Sequence, residues 1–240
     1  MTQNIYDDAG FFAGYSQLRR SVDGLDGAPE WPALRSMLPD LNGSRVVDLG
    51  CGFGWFCRFA REAGAASVLG LDVSTSMLAR ANETTHDDAI AYRQADLETL
   101  DLPAGAFDFA YSALTLHYLN NLGGLFATIH RAVLPGGHFV FSAEHPLYTE
   151  PGPDYLEEGP RTTDWLAKGV VKQHRTLATY LNLLIGAGFT IGRVEEWGAS
   201  REQIAAHPEW KIDHRRPSFL LVAAARPANP ASRATRARSR

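Results

Sequence analysis

Residues 46–54 read Val46-Val47-Asp48-Leu49-Gly50-Cys51-Gly52-Phe53-Gly54. A short apolar run ends at Leu49 and meets three glycines spaced two apart. Glycine lets the backbone turn sharply and approach a ligand closely, so the stretch predicts a buried strand, a tight turn and then a helix over residues 55–63. Strands are expected at 45–49, 67–71, 89–94, 107–112, 138–143, 189–196 and 219–225. Helices are expected at 74–81, with Ser74 as N-cap, at 122–133 and at 176–187, where Gly188 ends the run. The Leu134-Pro135-Gly136-Gly137 sequence stops the helix before it.

Residues 6–22 and a short segment ending at Leu38 are helix-compatible and make residues 1–40 an N-terminal helical segment. Strands alternating with helices predict an α/β fold, doubly wound around a mostly parallel sheet. Residues 145–175 break the alternation with Pro, Gly and aromatic residues. So long an insertion in a compact fold reads as a cap or binding loop. Within it, residues 170–174 look like a strand returning to the core, with Lys172 and His174 on alternating sides.

The chain has 240 residues, 45% of them hydrophobic and 21% charged, which excludes a wholly disordered protein and suits one large domain. No apolar run reaches the ~20 residues of a membrane span, and no basic stretch leads into an apolar one near Met1, so neither a membrane partner nor a secretory leader is expected. Cys51 and Cys57 read as reduced thiols of a cytoplasmic protein, without the clustered ligands a metal site needs. The net charge of −4 hides an asymmetry. Residues 1–225 hold 18 basic against 27 acidic side chains, while residues 226–240 hold five Arg and no acid. The tail is expected to be disordered, and an acidic body disfavours a nucleic-acid partner.

Two acids flank the glycines. Asp72, at the end of the second strand, suits a carboxylate that binds both hydroxyls of an adenosine ribose, and a nicotinamide dinucleotide would use it too. Asp48 discriminates, because a carboxylate at the turn repels a pyrophosphate. It suits S-adenosylmethionine, which carries an ammonium and a sulfonium and no phosphate.

The segments VVDLGCGFG (46–54), LGLDVSTSML (69–78), ADLETLDLPAGAFDFAYSALTLHYL (95–119) and IHRAVLPGGHFVFS (129–142) follow one another as in class I S-adenosylmethionine-dependent methyltransferases of the small-molecule type. This resemblance, close over residues 40–145, implies a Rossmann-like seven-stranded sheet with an antiparallel last strand and a variable cap over the substrate. It implies that Asp48, Gly50 and Gly52 surround the methionine end of the cofactor, with Cys51 a compatible small residue between them. It places Asp72 at the ribose, Val73 and Met77 near the adenine, and Asp96 and Leu97 at the adenine amino group and ring. Ser112 and Leu114 match backbone contacts near the methionine, and His117 matches a His common there. Tyr15 and Arg19 resemble residues that meet the cofactor carboxylate. S-adenosylhomocysteine would be the product. Residues 14–21, 144–149 and 169–176 also resemble a bacterial subgroup with no assigned acceptor.

Methyl transfer from a sulfonium needs alignment, and a base only where the acceptor carries a proton. Three residues stand where that chemistry is expected. His145 is either a general base or a hydrogen-bonding His that orders the loop before Pro146. His117 is either catalytic or a packed His lining the cofactor pocket. Glu144 orients His145, orients a cationic acceptor, or faces solvent. In the cap, Tyr148, Tyr155, Trp165 and His174 either bind an acceptor or anchor the insertion. The competing readings are an NAD-dependent oxidoreductase, a non-catalytic binding module, and a methyltransferase acting on RNA or protein. The sequence leaves the acceptor and the oligomeric state, monomer or homodimer, open.

Overall fold

The computed structural model describes residues 3–149, 154–208 and 215–228. Its centre is a seven-stranded sheet of β1 (Arg45–Leu49), β2 (Ser67–Asp72), β3 (Ile90–Gln94), β4 (Phe107–Ala113), β5 (Val133–Glu144), β8 (Thr190–Trp197) and β9 (Phe219–Ala225). The order is β3-β2-β1-β4-β5-β9-β8, and β9 alone runs antiparallel to its neighbours. The remaining pair, β6 (Gly159–Trp165) and β7 (Ala167–His174), forms a separate hairpin. The helices are α1 (Ala9–Ser16), α2 (Arg19–Val22), α3 (Trp31–Arg35), α4 (Trp55–Glu62), α5 (Thr75–Glu83), α6 (Leu122–Ala132), α7 (Pro146–Thr149), α8 (Leu177–Gly186) and α9 (Arg201–Ala206).

Side chains alternate across a strand, so each central strand feeds two cores. Val47, Leu49, Ala110, Phe139 and Phe141 pack on one face with Phe126 of α6 and Tyr180 of α8. Val46, Phe109, Tyr111 and Val140 pack on the other with Leu34 of α3 and Phe56 of α4. Phe56 stacks on Tyr111 at 3.5 Å between ring centroids, which locks α4 directly behind the glycine turn. A cavity opens at the C-terminal ends of the strands, where ligands bind in doubly wound sheets.

Two expectations are corrected. Residues 6–22 form no single helix: a 3-10 turn (Ile5–Asp7) is followed by α1 and α2. Asp8, with extended ψ of 126°, accepts a hydrogen bond from Phe11 N and starts α1 afresh, and Leu18 (ψ 146°) separates α2. The 145–175 insertion is more regular than its composition suggests. Most of it is α7 and the β6–β7 hairpin, whose tip turns at Leu166 with a φ of +58°. At the other end, Arg226, counted with the basic tail, is held in the fold: its guanidinium donates to the carbonyls of His130, Arg131 and Val133. Residues 229–240, the rest of that tail, lie outside the described residues.

Candidate active site

A cavity of about 820 Å³ opens at the C-terminal ends of β1, β2, β4 and β5, beneath α1 and the hairpin tip. Its floor is the glycine turn. Gly50, Gly52 and Gly54 have φ of +79°, +52° and +73°. A Cβ on Gly50 would stand 2.1 Å from Thr115 Oγ1, whereas one on Gly52 would meet only open space, where a ligand fits. Four backbone donors of this turn are already used. Gly50 N and Cys51 N donate to Leu71 O at 2.7 and 2.9 Å, Gly54 N to Cys51 O at 2.9 Å, and Gly52 N to Asp72 Oδ2 at 2.8 Å. A pyrophosphate needs such N–H groups free, so this turn is built against a dinucleotide.

Its two acids are buried and lack a cation. Asp48 accepts from the Cys57 thiol at 3.3 Å, and burial pushes its carboxyl up to about 7. Asp72 accepts from Gly52 N and from Ser74 N at 2.9 Å, and burial raises it despite those bonds. Among the described residues neither acid is ion-paired. Two uncompensated carboxylates in one cavity call for a cationic guest. Each oxygen also keeps a lone pair for a hydroxyl donor.

Val73, Asp96 and Leu97 line the same cavity from just beyond β2 and β3, and Met77 lines it from α5. Asp96 Oδ1 accepts from Glu98 N at 3.0 Å, which fixes its loop. Leu114 also lines it, in the left-handed region (φ +52°), with its N–H bonded to Ser142 O at 3.0 Å. A branched side chain held there is a strained position at the edge of a site. Ser112 does not reach the cavity. Its hydroxyl donates to Leu49 O at 2.7 Å and ties β4 to β1 beneath the turn. Tyr15 and Arg19 both reach the rim, Arg19 while paired with Asp23 at 3.1 Å.

The far end, at β4, β5 and the hairpin, has a different chemistry. His117 is buried, accepts from Glu144 N through Nδ1 at 3.3 Å, and therefore carries its proton on Nε2, 4.0 Å from Glu144 Oε1. Burial lowers it to about 4, so the ring is neutral. Glu144 Oε1 accepts from Lys172 Nζ at 2.5 Å, and that ammonium sits 5.1 Å from the Trp165 ring centroid. Trp165 meets Phe11 and Tyr15 edge-on, so it both roofs the cavity and anchors the hairpin to α1. Tyr148 stands at the rim, 54% exposed.

Several residues singled out in the sequence sit away from the cavity. His145 lies outside the cavity: Nε2 engages Glu196 at 2.9 Å and Nδ1 accepts from Leu147 N at 3.1 Å, so it orders the loop after β5. Glu144 does not orient it. Tyr155 and His174 also lie outside: Tyr155 OH accepts from Leu177 N at 2.9 Å, and His174 Nε2 bonds Tyr155 O at 2.8 Å, which knits the insertion to α8. Lys172 and His174 do not alternate. Two residues apart on β7, they share its buried face, and only Lys172 reaches the cavity.

Several cavity residues escaped the sequence reading. Arg20 forms a two-pronged pair with buried Glu30 at 3.0 and 3.2 Å. Tyr6 and Tyr118 meet through their hydroxyls at 3.2 Å. Beside them the first residues form a strap: Gln3 bonds Gly169 O and Val171 N of β7, and Asp7 accepts from Ser74 Oγ at 2.6 Å and Ser76 N at 3.0 Å at the start of α5. An acid seven residues from the start carries no motif. The one available signal was a Lys in a chain with only three.

Comparison with known proteins agrees with this geometry. The family model for a methyltransferase domain matches residues 47–141. The chain is similar to the crystal structure of an S-adenosylmethionine-dependent methyltransferase from Mesorhizobium loti, at 56% identity and a TM-score of 0.80, over 85% of this chain and 100% of that one. It is 32% identical to an uncharacterised protein of Haemophilus influenzae over 92% of this chain and 96% of that protein. It is 38% identical to a malonyl-[acyl-carrier protein] O-methyltransferase of Pseudescherichia vulneris, but only over 45% of this chain and 42% of that enzyme.

Proposed function

The chain belongs to the S-adenosylmethionine-dependent methyltransferases, and we propose that it methylates a small molecule held inside the cavity. S-adenosylmethionine, the cofactor of this family, supplies a methyl group activated by a positive sulfur. We assign Asp72 to the ribose hydroxyls, Asp48 to the cationic methionine end, and Asp96 with Leu97 to the adenine. Met77 and Val73 form the apolar wall beside that ring, and the Leu114 backbone, with Tyr15 and Arg19, borders the methionine. What this chain contributes to the chemistry is alignment and exclusion of water.

The observation that carries the small-molecule reading is enclosure. The acceptor end is roofed by Trp165 and α1 and lined by the buried side chains of His117 and Lys172. A folded macromolecule would have to thread a segment past that roof, and the body's excess of acids repels a polyanionic backbone. The acyl-carrier-protein methyltransferase match covers less than half of either chain and so supports the methyl donor without fixing the acceptor. His117 shapes the acceptor end without serving as a base, because Nδ1 is occupied by Glu144 N. Both cysteines are free thiols, which supports placing the protein in the reducing cytoplasm.

The test is incubation of the purified full-length protein with methyl-tritiated cofactor and a cell extract split at about 1 kDa. Label is expected in the small fraction. Label confined to protein or RNA would sink the small-molecule reading.

A further inference from the structure

Lys172 is a charged residue with unfinished bonding. Its side chain is 4% exposed, yet among the described residues the Glu144 carboxylate is its one hydrogen-bond acceptor. An ammonium has three N–H donors, and Lys172 lines the cavity with one of them given to Glu144. The neutral His117 adds a further donor, Nε2–H, on the same side. The two ends of the cavity are thus opposite in character: bare carboxylates at the glycine turn, spare cationic and neutral N–H donors at the hairpin.

We propose that Lys172 is the acceptor-specificity residue, that it binds a carboxylate of the small-molecule acceptor, and that the reaction is carboxylate O-methylation. This rests on the small-molecule reading above and sharpens it. The chemistry balances without a base. One carboxylate oxygen uses a lone pair to form the new C–O bond, and the methyl–sulfur bond breaks with its electron pair going to sulfur. An anion and a sulfonium become a neutral methyl ester and a neutral thioether, and no proton leaves.

The alternatives need a proton acceptor. A phenol or an ammonium, with pKa near 10, must lose a proton first, whereas a carboxylic acid with pKa near 4 arrives ionised. Among the described residues, no side chain at this end is placed as a base. His117 presents Nε2–H, Glu144 is held by Lys172, and His145 lies outside. Asp164 and Tyr148 also border the cavity, Asp164 exposed and bonded to Gly169 N and Tyr148 at the open rim. Asp48 and Asp72 belong to the opposite, cofactor end. A flat or aromatic acid suits the Trp165 and Tyr118 walls, and the Lys172–Trp165 contact holds the ammonium in place for it.

Two measurements test this on the full-length protein. In the first, tritiated small-molecule products are treated with alkali, which releases methyl esters as volatile methanol. Most of the label is expected to become volatile. Alkali-stable label in small molecules would overturn carboxylate methylation and leave the small-molecule reading standing; label only in macromolecules would overturn both.

The second is independent of turnover. With S-adenosylhomocysteine bound, 10 mM benzoate is expected to raise the melting temperature by about 3 °C and benzamide not at all. Equal shifts from the two probes would refute the anion site. Lys172→Met should lose the benzoate shift and about 100-fold in kcat/KM, with cofactor affinity within about twofold. Lys172→Arg should recover part of both. Should Lys172→Met unfold by stranding Glu144, the neutral pair Glu144→Gln with Lys172→Met replaces it. A double variant that folds and still prefers benzoate to benzamide would overturn the assignment.

Discussion

The assignment of Asp48 to the cationic methionine end predicts that cofactor binding is proton-linked. In the ligand-free cavity its carboxyl sits at about 7, raised by burial, with Asp72 adding to the rise and only the Cys57 thiol opposing it. A cationic ligand binds the ionised form, so the apparent Kd varies as one plus ten to the power of pKa minus pH. Between pH 6 and 7.5 the affinity should rise about eightfold, below the range near pH 8 where an α-amino group itself begins to titrate. At pH 6.5 binding should release about 0.75 proton, read by calorimetry in two buffers of different ionisation enthalpy. Stability runs the other way. A carboxyl whose folded value lies above its unfolded one stabilises fully below the unfolded value, and that contribution is lost as pH rises through the folded value. Unliganded protein should therefore lose up to about 4 kcal/mol between pH 4 and 8. Asp48→Asn should abolish the proton release, weaken cofactor binding at pH 7.5, and melt several degrees above wild type at pH 8 but not at pH 4. Flat affinity from pH 6 to 7.5 with no proton released would refute the reasoning.

Asp72→Ala removes the acceptor assigned to the ribose hydroxyls and should weaken S-adenosylhomocysteine binding by about 100-fold in a calorimetric titration. His145→Ala should leave kcat/KM within about twofold, because the ring is outside the cavity, and lower the melting temperature by about 3–6 °C through loss of the Glu196 and Leu147 bonds. Gly50→Ala drives a Cβ into Thr115 Oγ1 at a φ of +79°; its cooperative melting transition should shift down by more than that of His145→Ala, and cofactor binding should be lost with it.

The sheet was legible because its strands are buried and bounded by strong signals. The glycine turn, the Ser74 cap and the Leu134–Gly137 stop each carry their meaning within a few residues. The pairing of Asp48 and Asp72 at the glycine turn was legible for the same reason, since both sit at fixed distances from the glycines. The acceptor end was not. Its pairs join distant segments: Glu144 with Lys172, Tyr6 with Tyr118, Arg20 with Glu30. The hairpin was hidden because its tip turns at Leu166, a residue without turn chemistry, in the left-handed region usually reserved for glycine. His145 stayed open between two roles because being next to a strand end in sequence says nothing about which way a ring turns. The bond to Glu196 on β8 turns it away.

The strap at the start of the chain bears on the order in which the site can be assembled. Gln3 pairs with Gly169 and Val171, and Asp7 with the first turn of α5. During synthesis Gln3 can dock only after its partners on β7, more than 160 residues later, have been made. The glycine turn and its acids belong to strands completed long before that. The floor of the cavity is therefore synthesised before its roof, and the site can close over only once the hairpin has been made.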